Sequence, residues 1–227
     1  MLPLYDENET RNFPFVTILL IISNIIMFCF SLSASTGFEA FITEWGTVPH
    51  RFLHNFSATE VLHALSSMFL HTGFLHLLGN MWFLWIFGDN VEDELGPFKF
   101  LFFYVLCGYF AALGHIWSDP GSMVPAVGAS GAISGVLAGY IAMHPNAPVR
   151  TLLFRYYTTS LPAYTFIGIW FVMQVAFGYF MNSGDNVAWF AHIGGFVAGL
   201  LLINLMKPGH EAPEVNYSMD SKSDSWF

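Results

Sequence analysis

Ser130, in Gly128-Ala129-Ser130-Gly131, and His192, in Ala191-His192-Ile193-Gly194-Gly195, each stand near the head of a strongly apolar stretch. A hydroxyl and an imidazole are the parts of a nucleophile and its base, and polar groups held within a bilayer are costly enough to read as functional by default. His76 and Asn80 lie in a third apolar stretch, four residues apart and therefore neighbours on one helical face. These four residues together suggest hydrolysis of a bond within the membrane.

The chemistry assigns each a task. Ser130 must lose its proton, neutral His192 can take it, and the resulting tetrahedral oxyanion needs donors about 3 Å away. The amide of Ser130, the side-chain amide of Asn80 and the ring of His76 are the candidate donors. Ser130 falls at or near the first turn of its helix, where free backbone amides and the positive dipole end favour a developing anion. Asp89, Asp119 and Asp185 all read as connection residues, so the expectation is a dyad without a carboxylate orienter, unlike the three-residue serine hydrolases.

The elements that must position these groups are set by composition. The chain has 227 residues, 55% hydrophobic, 18% aromatic and only 10% charged, with a mean hydropathy of +0.54. That exceeds the apolar share of soluble domains and predicts an all-α polytopic membrane protein. The formal charge of -9 comes largely from the two ends, and nothing resembles a nucleic-acid surface. Cys29 and Cys107 both fall in apolar runs, where they act as small hydrophobes rather than as a disulfide pair.

Windows of about 20 residues predict six transmembrane helices, at 14–34, 72–87, 97–117, 127–144, 162–181 and 187–206. Between them lie sharp breaks, including the acid-rich 88–96 and Asp119-Pro120-Gly121. The domain plan is a cytoplasmic N-terminal segment over 1–13, a six-helix membrane domain over 14–206 and a polar cytoplasmic tail over 207–227. Arg11, Lys99, Arg150, Arg155, Lys207 and Lys222 fall on one side if the spans alternate, and only Arg51 on the other, so the positive-inside rule puts both termini in the cytoplasm. The acidic leader and length of the first span argue against a cleaved signal peptide. Residues 35–61 form a long, aromatic-rich connection expected at the outer membrane interface.

With the amino terminus inside, the second, fourth and sixth spans all run from outside to inside. His76, Asn80, Ser130 and His192 are early in those spans, so topology brings them to similar depth. From Ser130 to His144 a helix is only about 21 Å long, short of the roughly 30 Å hydrocarbon core. The serine is therefore expected below the outer surface, with 123–127 dipping in under cover of protein or a water-filled cavity.

Other residues have plainer readings. Gly131, Gly135 and Gly139, and again Gly195 and Gly199, form small-xxx-small repeats that pack membrane helices. His63, His71, His115 and His144 lie near span ends and read as interfacial or structural. His71, His76 and His192 could approach one another as a metal site, but there is no His-Glu-x-x-His helix and no intramembrane carboxylate base. The expectation is no metal and no cofactor.

His76-Leu77-Leu78-Gly79-Asn80, the Gly88/Glu92/Gly96 pattern, Gly128-Ala129-Ser130-Gly131 and Ala191-His192-Ile193-Gly194-Gly195, in that order and spacing, resemble the rhomboid family of intramembrane serine proteases over about residues 11–206. The resemblance implies a six-helix rhomboid-like core with a cavity opening outward, Ser130 and His192 as the catalytic pair, and oxyanion stabilisation by His76 and Asn80. It implies cleavage of single-span transmembrane protein substrates within the lipid bilayer, without metal, cofactor or ATP. By the same resemblance 183–189 matches a cap over the site, and the fifth span, with Trp170, Phe171 and Phe177, matches a side gate. A multi-pass protein of a bacterial inner membrane is expected.

Two positions depart from the family pattern. Leu62-His63 stands where Trp-Arg is frequent in the first long loop, and Ser134 stands where an aromatic often stacks on the catalytic histidine. Two further functions compete: a catalytically inactive rhomboid-like protein that binds membrane clients, although such relatives usually lack the nucleophile or base, and a small transporter, for which repeated halves would be expected.

Overall fold

A computed structural model describes residues 1–154, 157–180 and 188–207. Most of the tail and most of the expected cap, 183–187, lie outside them. Among the described residues, four helices are long and apolar enough to cross a membrane: α1 (Phe15–Leu32), α6 (Pro97–Ser118), α8 (Ala163–Phe180) and α9 (Trp189–Met206). A fifth, α5 (Phe74–Leu95), meets that test jointly with α4 (Ala58–Ser66) and the 3-10 turn after it, from which it is bent by 85°. The remaining apolar stretch forms α7 (Ser130–Met143), with 14 residues, or about 21 Å. Length and composition thus give a multi-pass membrane protein with up to five spans, around a short central helix. The long connection folds into α2 (Phe38–Trp45) and α3 (Pro49–His54).

The chain is not all-α. A three-stranded antiparallel sheet of order β1-β2-β3 joins β1 (Leu2–Asp6), β2 (Pro148–Phe154) and β3 (Tyr157–Pro162). Leu2 pairs with Leu152, Asp6 with Val149, and Thr151 with Thr159. These strands are too short to register against apolar spans, but Val149, Thr151 and Thr159 suit a pleated surface, and the buried Val149 and Thr151 lie on the central strand. The N-terminal segment is therefore tied into the body of the protein. Asp6 seals it: its Oδ2 accepts from Tyr140 of α7 at 2.5 Å and from Asn90 of α5 at 3.1 Å.

α5 also runs eight residues past the expected end of its span, through the acid-rich segment read as a connection. The acids are held rather than left loose. The buried Glu92 carboxylate accepts from the Val16 amide at 2.8 Å, the Thr17 amide at 2.7 Å and the Thr17 hydroxyl at 2.8 Å. It thereby caps the start of α1, whose first amides have no partner within their own helix. Asp93 pairs with the exposed Arg11 at 2.8 Å. Gly88 lets α1 come close, since a Cβ there would lie 3.1 Å from the Thr17 methyl. Gly96, at φ +76, turns the chain from α5 into α6, where Pro97 occupies the first position. The Gly88/Glu92/Gly96 pattern is thus a joint between α1, α5 and α6.

α7 is gripped between α6 and α9 at near backbone contact. A Cβ on Gly131 would lie 2.5 Å from that of Ala111, one on Gly135 would collide with Cys107, and one on Gly195 would collide with the Gly131 carbonyl. At Gly199 it would lie 2.5 Å from the Gly135 carbonyl oxygen. Both glycine repeats therefore serve the same seam.

Candidate active site

Ser130 is the first residue of α7 and His192 lies in the first turn of α9. Their side chains meet across the glycine seam, with Ser130 Oγ 2.8 Å from His192 Nε2. Gly195, one turn beyond His192, abuts the carbonyl of Gly131, the residue after Ser130. The hydrogen bond is thus fixed by how closely two backbones approach. The loop before α7 is fixed too: Ala126 exchanges backbone hydrogen bonds with Thr47 at 2.8 and 3.1 Å, and the Gly128 amide donates to the Ser67 carbonyl at 2.9 Å. Those bonds satisfy the irregular backbone that dips towards Ser130.

His76 comes to the same place from α5. Gly128 has φ +127, and a Cβ there would sit 2.8 Å from His76 Nε2 and 3.6 Å from Ser130 Oγ. Glycine keeps that space free between ring and hydroxyl. His76 Nδ1 lies 3.1 Å from the Thr72 hydroxyl, which as donor leaves Nε2–H aimed at the space. Asn80, one turn along α5, is buried, and its Nδ2 has no hydrogen-bond partner among the described residues. A buried amide donor left unmade is costly. Next to Ser130 is a cavity of about 40 Å³ lined in part by Thr47, Ser67, His115 and Gly131, with room for a water molecule.

His71 packs beside His76, ring centroids 5.0 Å apart, and is fully buried. No group of three His, Cys, Asp or Glu side chains stands ready to hold a metal ion among the described residues.

The two departures from the family pattern have structural answers. In the first long loop, Arg51 on α3 supplies a guanidinium. It reaches Glu60 at 2.9 Å, His63 Nδ1 at 3.0 Å and the carbonyls of Gly46 and Thr43 at 2.6 and 3.1 Å, tying α2, α3 and α4 together. Trp45 packs edge-on to His63 at 5.9 Å. The Ser134 hydroxyl donates to the Ser130 carbonyl at 2.7 Å. The histidine is flanked instead by Trp170 of α8 and by Trp189, at 6.1 and 6.0 Å.

Sequence reasoning missed one residue. Gln174, buried on α8, places Oε1 2.7 Å from His192 Nδ1. The dyad expected to lack an orienter thus has a neutral amide where a carboxylate was sought. The signal available was a lone amide in an otherwise apolar span, a polar group that hydropathy averaging hides.

With this geometry described, comparison with known proteins gives the family. The rhomboid domain profile matches residues 58–208. The putative rhomboid protease YdcA of Bacillus subtilis is 29% identical over 193 residues, covering 85% of this chain and 88% of that protein. RHOMBOID-like protein 5 of Arabidopsis thaliana is 33% identical over 146 residues, and rhomboid protease GlpG of Yersinia pestis 30% over 144. Those two matches cover 63% and 61% of this chain but only 44% and 45% of the relatives. The profile spans well over half the sequence and takes in His76, Asn80, Ser130, Gln174 and His192, and on that ground the chain belongs to the rhomboid family.

Proposed function

We propose that this protein is an intramembrane serine endopeptidase that cleaves single-span transmembrane proteins. The reading rests on one observation above others: Ser130 Oγ and His192 Nε2, on different helices, lie 2.8 Å apart. In the first step His192 Nε2 takes the Ser130 proton as Oγ attacks the scissile carbonyl carbon, and the carbonyl oxygen becomes an oxyanion. His76 Nε2–H, Asn80 Nδ2 and the Ser130 amide donate to that oxyanion, each such donor being worth about 10²–10³ in rate. The imidazolium then gives its proton to the leaving amine, the C–N bond breaks, and an acyl ester remains on Ser130. A water activated by the same imidazole hydrolyses the ester, restoring serine and histidine. No metal or cofactor takes part in this scheme.

In the membrane we assign six spans, counting α5 and the short α7, with both termini cytoplasmic and the site in the outer half of a bacterial inner membrane. Residues 1–13 and 207–227 flank the membrane domain of 14–206. A substrate helix must unwind locally to present its peptide bond, and glycine near the cut lowers that cost by about 1 kcal/mol relative to alanine. The test is incubation of purified protein with a panel of single-span substrates, beside covalent labelling with a fluorophosphonate. Cleavage and an adduct on Ser130 are expected, both abolished in Ser130→Ala. Folded protein that binds clients without cleaving them, and takes no label, would instead establish a client-binding protein.

A further inference from the structure

We infer that Gln174 is a positioning residue for the catalytic base, the third member of a Ser130–His192–Gln174 relay in which an amide stands where other serine hydrolases use a carboxylate. The inference rests on the proposed protease reading and deepens it.

Gln174 is the one polar side chain among the buried residues of α8, whose other buried members are Ala163, Phe166, Ile167 and Gly178. A buried amide in apolar surroundings is costly unless it is hydrogen-bonded, and its Oε1 lies 2.7 Å from His192 Nδ1. The same ring presents Nε2 to Ser130 Oγ at 2.8 Å. The two bonds are coupled through the ring. When Oε1 accepts, Nδ1 carries the proton and Nε2 offers its lone pair to the serine hydroxyl. If the amide were turned over, Nδ1 would accept from it, Nε2 would carry the hydrogen, and the ring could not remove the Ser130 proton. With Oε1 towards the ring, as observed, Gln174 therefore holds the reactive tautomer. It also strengthens its bond as the ring becomes positive, since hydrogen bonds to ionised groups are about twice as strong as neutral ones.

An amide suits the setting better than a carboxylate. An ionised side chain at this depth carries a heavy desolvation cost, whereas the glutamine dipole orients the ring without net charge. Trp170, one turn earlier on α8, and Trp189 confine the ring from the sides, and Gln174 sets its rotation.

The experiment uses the full-length protein in detergent with ¹⁵N-labelled histidine, the His192 signals being assigned by their loss in His192→Ala. The wild type should show His192 as the Nδ1–H tautomer. Gln174→Met, which keeps the side-chain length and removes the amide, should lose that preference and lower kcat by about 10–100-fold, the range for a lost hydrogen bond to a charged group, with KM unchanged. Gln174→Glu, which puts back an acceptor oxygen at the same reach, should recover the Nδ1–H tautomer and part of kcat, the desolvation cost of the carboxylate keeping it below the wild type. A wild-type ring protonated on Nε2 would overturn the inference, as would a folded Gln174→Met protein with unchanged kcat and tautomer. The tautomer is read without turnover, so its failure is separate from that of the protease reading, which falls if wild-type Ser130 takes no fluorophosphonate.

Discussion

Gly195→Ala tests whether backbone contact sets the catalytic geometry. The new Cβ would collide with the Gly131 carbonyl oxygen and lie 2.9 Å from its carbon. Carbon atoms pack comfortably at about 3.5–4.0 Å, so α7 and α9 must part by about 1 Å at this level. The colliding partner is backbone, which no rotamer can relieve. Ser130 is next to Gly131 and His192 is one turn from Gly195 on the same two helices, and their 2.8 Å bond would open to about 3.8 Å, outside hydrogen-bonding range. A misplacement of that size costs about 10²-fold in rate, or about 2.7 kcal/mol of transition-state stabilisation. The assay is the second-order rate of fluorophosphonate labelling at Ser130, with thermal unfolding in detergent to establish that the variant is folded. Gly79→Ala is the control: it lies between His76 and Asn80, yet a Cβ there meets nothing within 4 Å, and its rate should be unchanged. A folded Gly195→Ala protein labelled as fast as wild type would refute the reasoning.

Other expectations concern the frame. Burial, and then the neighbouring Asp89, raise the Asp6 carboxyl from its ordinary 3.8 to about 7, against the Tyr140 hydrogen bond that lowers it. Since the folded state favours the protonated form, the stability Asp6 gives is full below about pH 4 and lost as pH rises through about 7. Asp6→Asn should flatten this dependence and raise the melting temperature at pH 8, and an unchanged pH dependence would count against it. Glu92→Ala strips the α1 cap of three hydrogen bonds and should destabilise the protein by about 3 kcal/mol, read by unfolding in detergent–denaturant mixtures. Arg51→Leu removes the anchor of the first long loop and should cost about 2 kcal/mol, with faster proteolysis in 35–61; a normal proteolytic pattern would show the loop to be held elsewhere.

Much of the site's placement was readable from the chain because depth follows from topology: residues early in alternate spans share a level, whatever their packing. The glycine repeats were readable too, since their spacing has few uses in a membrane helix. Gln174 was not, because a single amide barely alters the hydropathy of an 18-residue helix. Nor was the role of Arg51, whose guanidinium reaches His63 from α3, 12 residues earlier in the chain. The sheet was hidden because its strands are only 5, 7 and 6 residues long and β1 comes from the amino terminus, far in sequence from the adjacent β2 and β3.

The middle of α8 is tethered where Gln174 grasps the ring of α9, while the glycine seam leaves α6, α7 and α9 no slack. α8 therefore meets α9 through side chains, Gln174 on the His192 ring and Phe171 stacked on Phe196, whereas the seam helices meet through backbone. A rotamer change can loosen the first kind of contact, and none can part the second.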